Sequence, residues 1–343
     1  MNPPRRSPTD RSRALTTAAW LVLLTAPLDA QTTAPNKPWP FAPRGTPAAK
    51  ATPAPGVVPP AATPAPFGSV ATPEQGPRDT PVVEKKWEEL SHKEVSKDGA
   101  TALAIEKDKW KHAETENFIL HYRRVTEAQK VAREVEFDLW FVAKTLGATK
   151  DRYQKKSHVF VFEDEDEWKK FLAQTDAPQW AASFAYGDEL FLNVRGTDAG
   201  RFNSNTLAHE ATHAVVARLY PRQRWPLWLN EGWAEYMAGA SIAARKGQTV
   251  KRHQTRLRMA DLSLTGLDEL KEYPTSEVGV AQLYATSEKL VRFLMDEQPR
   301  ERIMKFIEAQ LAGQSLKTSV LAVYGDKVKD WADFEKQFEK FGK

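Results

Sequence analysis

The spacing of hydrophobic residues along the chain predicts a few short strands in its first half. Four segments are apolar or alternate between apolar and polar residues over four to six positions, which is typical of strands. They lie at 118–122, 157–162, 189–194 and 183–186, the last as a neighbour of the third. We therefore predict a small sheet in the N-terminal half of the protein.

Helical spacing dominates the rest of the chain. Val131, Val135 and Leu139 recur at intervals of four residues within 126–146, and Gly147 ends that helix. Further helices are predicted at 85–92, 163–174, 241–260, 279–298, 301–311, 315–324 and 330–341. The acidic run at 163–167 indicates a solvated helix start rather than a calcium site. Strands mixed with helices, followed by helices alone, predict an α+β fold.

Two histidines stand four residues apart in a predicted apolar helix, which reads His209-Glu210-Ala211-Thr212-His213. Side chains at this spacing project from the same helix face, so the two imidazoles can bind one ion, usually Zn²⁺. Glu210 is placed to act on water at the metal rather than to bind the metal. Two hydrogen-bonded core histidines, or a zinc site without catalysis, would share this spacing.

A second acidic motif follows on the next predicted helix, which begins near Asn230. Glu231 can complete a set of two histidines and one glutamate, and such a set leaves one zinc position open, as in catalytic sites. Glu235 lies one turn further along the same face. We predict that it accepts the free N–H of a ligating histidine, with Asn230 as a second supporting residue.

These two motifs resemble those of the gluzincin metallopeptidases, in particular the peptidase MA-like branch. The resemblance rests on His209 to His213 together with the run Trp-Leu-Asn-Glu-Gly-Trp-Ala-Glu-Tyr at 228–236. The metzincin pattern is excluded, because Val216 and Leu219 occupy its glycine and third-histidine positions. The resemblance implies a gluzincin-like zincin fold, one Zn²⁺ ion and Glu231 as its third ligand.

The resemblance also implies further site residues. Gluzincins place a tyrosine on a later helix where it stabilises the oxyanion, and Tyr284 matches it by order, with a core tyrosine or a role for His253 as alternatives. In gluzincins the strand before the zinc helix is a sheet edge that binds extended peptide. That strand is assigned here to Leu190, Phe191, Leu192, Asn193 and Val194. An ordinary core strand is the alternative.

The sequence of the N-terminal part predicts that the protein is exported. Residues 1–30 combine four arginines, a short apolar run and Leu28-Asp29-Ala30, as secretory signals do, and the run is too short for a stable membrane span. Residues 31–81 are rich in Pro, Ala and Thr and predict a disordered linker. The remaining 82–343 would form the catalytic domain, with an α/β subdomain at 82–220 and a helical subdomain at 221–343.

Net charge and cysteine content limit which partners and which covalent cross-links the sequence predicts. Removing residues 1–30 removes four Arg and two Asp and lowers the formal charge from +4 to +2, so nothing indicates nucleic-acid binding. The basic run at 241–260 is typical of a solvated helix face. The chain has no cysteine, so its core must stabilise it without disulfides.

The sequence therefore predicts a secreted or periplasmic zinc metallopeptidase with a peptide or protein substrate. It lacks the Gly-rich loop of aminopeptidases, which favours cleavage within chains. Two other classes stay open: a scaffold protein that cleaves nothing, and a zinc hydrolase of non-peptide amides or esters.

Overall fold

The structure is a computed structural model that describes residues 76–77, 79–177, 179, 181–195, 204–248, 261–295 and 298–342. The predicted export signal, most of the predicted linker, and the basic residues at 249–260 with His253 lie outside these ranges. Within the described part of the chain, no helix has both the length and the apolar character that crossing a bilayer requires.

The described residues contain six strands and ten α-helices. The strands are β1 Val83–Lys85, β2 Lys111–Glu114, β3 Phe118–Tyr122, β4 Ser157–Phe162, β5 Ser183–Tyr186 and β6 Glu189–Asn193. The helices are α1 Lys97–Ala104, α2 Val125–Thr145, α3 Glu165–Leu172, α4 Ser204–Leu219, α5 Leu227–Arg245, α6 Leu264–Glu269, α7 Glu277–Met295, α8 Arg300–Leu311, α9 Leu316–Tyr324 and α10 Trp331–Lys340. All strands precede α4, and every described element after it is helical.

The strands form one mixed sheet in the order β1-β2-β3-β4-β6-β5. The central β3, β4 and β6 are parallel, whereas β1, β2 and β5 pair antiparallel to their neighbours. Every residue of the three central strands is buried. Helices on both faces account for this burial, as is usual for parallel strands. Strand β6 therefore lies inside the sheet, and β5 forms its edge.

The two faces of the sheet pack against different helices, because successive strand residues point to opposite sides. On one face, Leu120 and Val161 share a core with Val135 of α2 and with α4. On the other face, Phe160 and Phe191 pack against α1 and α3. The two histidines of α4 are thus separated by the sheet from the aromatic cluster on the opposite face.

One hydrophobic core joins the sheet to the C-terminal helices. It extends from Leu120 of β3 through Trp228 of α5 and Leu290 of α7 to Phe306 of α8. The boundary proposed at residue 220 falls between α4 and α5, which both contribute to this core. Common packing can therefore hold side chains from α4, α5 and α7 at defined separations.

The structure confirms the α+β class and most predicted elements. The predicted helix at 85–92 is wrong: Lys85 pairs with His112 as part of β1, and only Trp87–Glu89 form a short 3₁₀ helix. The predicted edge position of 190–194 is also wrong. Leu190 to Asn193 pair with β4 on one side and β5 on the other. Strands β1 and β2 and helices α1 and α6 were not predicted, because their segments carry no clear periodic signal.

Candidate metal centre

Helix α4 brings His209 and His213 together. Its buried residues, among them Leu207, Ala211 and Val215, pack into the core and leave the two imidazoles on the other side of the helix. The Nε2 atoms of His209 and His213 lie 3.0 Å apart. The four-residue spacing thus has the geometric result expected for a helix.

Helix α5 adds the carboxylate of Glu231, whose side chain is 1% exposed. Its Oε2 atom lies 3.5 Å from Nε2 of His209 and 3.6 Å from Nε2 of His213. Among the described residues these three side chains are the group that could hold a metal ion, with their donor atoms all within 4.8 Å of one another.

The donor atoms fit a zinc ion. Four ligands at zinc distances of about 2.0–2.1 Å would stand about 3.3 Å apart in a tetrahedron, close to the separations found between these three atoms. Oε2 of Glu231 is buried and accepts no hydrogen bond from the described part of the protein. A buried carboxylate oxygen without a donor is costly, and a cation at this point would satisfy it.

Glu235 supports this arrangement from the next turn of α5. Its Oε1 atom lies 3.0 Å from Nδ1 of His209, the ring nitrogen opposite the one that faces Glu231. Nδ1 of His209 makes no well-directed hydrogen bond among the described residues, so Glu235 acts on it through proximity and charge, which favour a proton on Nδ1 and a lone pair on Nε2. The amide of Asn230 lies 3.5 Å from Oε1 of Glu231, which is too long for a strong hydrogen bond.

Two tyrosines from the helical half complete the site. Tyr284 on α7 lies with its ring centroid 6.0 Å from that of His209. Tyr273, between α6 and α7, donates a hydrogen bond of 2.5 Å to Oε1 of Glu231. Burial raises the pKa of both tyrosines well above the usual value, so both stay protonated at neutral pH. Sequence reasoning missed Tyr273, because no motif or periodicity links it to Glu231.

Gly232 allows α7 to approach α5 at this point. A Cβ atom on Gly232 would collide with the backbone carbonyl of Ser287. Ser287 lies one turn beyond Tyr284 on α7, so the close contact of the two helices also determines how near Tyr284 comes to the histidines. The glycine that follows Glu231 in the motif thus has a packing reason.

The charges in the site depend on one another. Burial alone would raise the pKa of Glu231, but the imidazoles of His213 and His209 outweigh it and hold that pKa well below its usual value. Burial alone would lower the pKa of His209, yet the carboxylates of Glu235 and Glu231 raise it well above normal. Burial raises the pKa of Glu210, against the opposing effect of both imidazoles. Carboxylates and imidazoles thus face one buried point.

Strand β5 lies beside Glu210. The backbone amide of Ala185 is near enough to the Glu210 carboxylate to lower its pKa, against the larger effect of burial. Asn193 N–H bonds to Ala182 C=O, so by alternation Ser183 and Ala185 turn their backbone groups away from β6, towards the edge of the sheet. The edge strand next to the site is therefore β5, and the assignment of peptide binding to Leu190–Val194 is corrected, because those residues are interior.

Comparison with known proteins identifies the family. The family model described as the peptidase MA superfamily matches residues 141–341. The chain belongs to this superfamily. It is therefore a metallopeptidase-like protein of a superfamily that is typically zinc-dependent, and the matched range contains all the residues of the site described above. No curated protein matches the chain.

Proposed function

We propose that the protein is a zinc-dependent peptidase that hydrolyses peptide bonds with Glu210 as general base. The observation that carries the proposal is the convergence of two imidazole nitrogens and one otherwise unpartnered carboxylate oxygen on a single buried point. Zinc held by His209, His213 and Glu231 would polarise the scissile carbonyl and make water more acidic.

Glu210 is the proton carrier in this proposal. It follows His209 on α4 but belongs to none of the three donor groups, and its pKa responds both to the two imidazoles and to the Ala185 amide of the edge strand. A carboxylate with these neighbours can take a proton from the attacking water and pass it to the leaving amine. Tyr284 is the candidate donor to the oxygen that gains charge.

Strand β5 is the proposed peptide-binding edge. Backbone groups of Ser183 and Ala185 point away from β6, and an extended peptide can pair with such an edge by adding a strand. Because Ala185 also contacts Glu210, a peptide bound there would run past the general base. This supports peptides rather than small esters as substrates.

The decisive experiment compares Glu210→Gln with the parent protein and with Glu308→Gln. Glu308 lies exposed on α8, so it provides the same charge change away from the site. We expect Glu210→Gln to lower the rate of peptide-library cleavage by at least about 10²-fold and to keep bound zinc, while Glu308→Gln matches the parent. Cleavage by Glu210→Gln at the parental rate would refute the mechanism.

The same digest separates the other classes. A parent protein that binds zinc but cleaves no peptide, with or without chelator, would be a binding or scaffold protein. Cleavage of small acyl substrates without peptide cleavage would indicate a non-peptide hydrolase. Export remains part of the proposal and rests on the sequence of residues 1–30.

A further inference from the structure

The two oxygens of the Glu231 carboxylate have different surroundings. Oε1 accepts a hydrogen bond of 2.5 Å from the Tyr273 hydroxyl. Oε2 faces the imidazoles of His209 and His213 and has no hydrogen-bond donor in the described part of the chain. Because the side chain is 1% exposed, solvent cannot stand in for either contact. Oε1 is therefore occupied by the hydrogen bond from Tyr273, whereas Oε2 is available to a metal ion.

The number of available protons determines which group donates in the hydrogen bond between Tyr273 and Glu231. A carboxylate only accepts, so the single hydroxyl proton of Tyr273 points to Glu231. The ring of Tyr284 lies next to that of Tyr273, with ring centroids 6.5 Å apart.

We propose that Tyr273 is a positioning residue for the metal centre: it binds Oε1 so that Glu231 presents Oε2 alone, as a one-oxygen ligand. This inference rests on the proposed zinc site but not on the proposed hydrolysis. Without the hydroxyl, Oε1 would keep only the long contact with the Asn230 amide among the described residues, and the carboxylate would be free to turn and offer both oxygens. Groups that orient a metal ligand in this way typically contribute 10–100-fold in metal affinity.

The test measures the zinc dissociation constant by competition with a chromogenic chelator. Tyr273→Phe keeps the ring and removes the hydroxyl, and Tyr220→Phe is the matched control, since Tyr220 packs on Trp225 and makes no contact with the zinc site. We expect Tyr273→Phe to weaken zinc binding by about 10–100-fold. Tyr220→Phe should stay within about twofold of the parent, because it changes no group that supports a metal ligand.

A double-mutant cycle with Glu231→Ala, which removes both the ligand and the acceptor of the Tyr273 proton, distinguishes positioning from a merely structural role. If Tyr273 acts through the carboxylate, Tyr273→Phe should change the residual zinc affinity by less than about twofold in the Glu231→Ala background. An equal loss in both backgrounds would mean that Tyr273 only supports the fold, and would overturn the inference. So would an unchanged affinity in the single variant.

The absorption spectrum of the cobalt-substituted protein gives a second readout. Binding by both oxygens of Glu231 would raise the coordination number and weaken the visible bands of Co²⁺, so we expect weaker bands in Tyr273→Phe and parental bands in Tyr220→Phe. A parent that binds no zinc refutes both proposals. A parent that binds zinc, with Tyr273→Phe unchanged in affinity and spectrum, refutes this inference alone.

Discussion

A row of three buried or half-buried histidines on the sheet face opposite α4 should make the fold sensitive to acid. His112, His121 and His158 lie on the neighbouring strands β2, β3 and β4. Nδ1 of His112 is 2.8 Å from Nδ1 of His121, and Nε2 of His121 is 2.8 Å from Nδ1 of His158. The ring of His92 packs edge-on against His158 at 4.7 Å. Each imidazole limits the protonation of the next.

The magnitude follows from His158, which is 1% exposed. Burial lowers its pKa to about 3, with His92 and Lys155 acting in the same direction and Glu114 against it. In the unfolded chain His158 therefore binds a proton near pH 6.5, whereas in the folded protein it stays neutral down to about pH 3. The free energy of unfolding therefore decreases as pH falls through 6.5. Between pH 8 and pH 5 the loss is about 2 kcal/mol for His158 alone. The pKa of His121 is also lowered by burial, and its effect has the same sign.

Other groups titrate in this range, so the assay uses differences between variants. We would measure the free energy of unfolding in urea at pH 8 and pH 5 for the parent and for His158→Asn, whose amide can replace Nδ1 in the contact with His121. Phe160→Leu is the control, because Phe160 stacks on His121 at 4.7 Å and does not titrate.

The parent should lose about 2 kcal/mol more than His158→Asn on acidification, and Phe160→Leu should lose as much as the parent. If the difference in free energy of unfolding between the parent and His158→Asn is the same at both pH values, folding does not lower the pKa of His158 and the reasoning is wrong. A pH-dependent difference in Phe160→Leu would assign the effect to packing instead.

Three further predictions concern single positions. Gly232→Ala should cost about 1–3 kcal/mol in urea unfolding, because its Cβ meets the backbone of Ser287; a stability equal to the parent would contradict this. Glu235→Gln should weaken zinc binding about 10–100-fold, measured by chelator competition, since it alters the contact with Nδ1 of His209; unchanged affinity would leave Glu235 without a role at the metal. Burial raises the pKa of Asp138 to about 7, so its contribution to stability is complete below pH 3.8 and is lost as pH rises through 7. The loss is roughly 4 kcal/mol and should vanish in Asp138→Asn, as urea unfolding at pH 4 and pH 8 would show; a parental pH dependence in this variant would contradict it.

The sequence by itself was sufficient for the local features of this protein. The pairing of His209 with His213 and the position of Glu235 one turn beyond Glu231 follow from helical periodicity, which depends only on neighbours along the chain. Apolar runs likewise predicted β3, β4 and β6. The same runs do not distinguish an interior strand from an edge strand, because both can be wholly apolar.

Only the tertiary structure decided which distant segments meet. Strand β5 follows α3 and precedes β6 along the chain, yet it lies outside β6 in the sheet, so the edge beside Glu210 could not be assigned from order alone. Tyr273 reaches Glu231 across 42 residues, from a segment without periodicity. Contacts of this kind depend on how α4, α5 and α7 pack around one core, and packing is a property of complementary shapes that no single stretch of sequence contains.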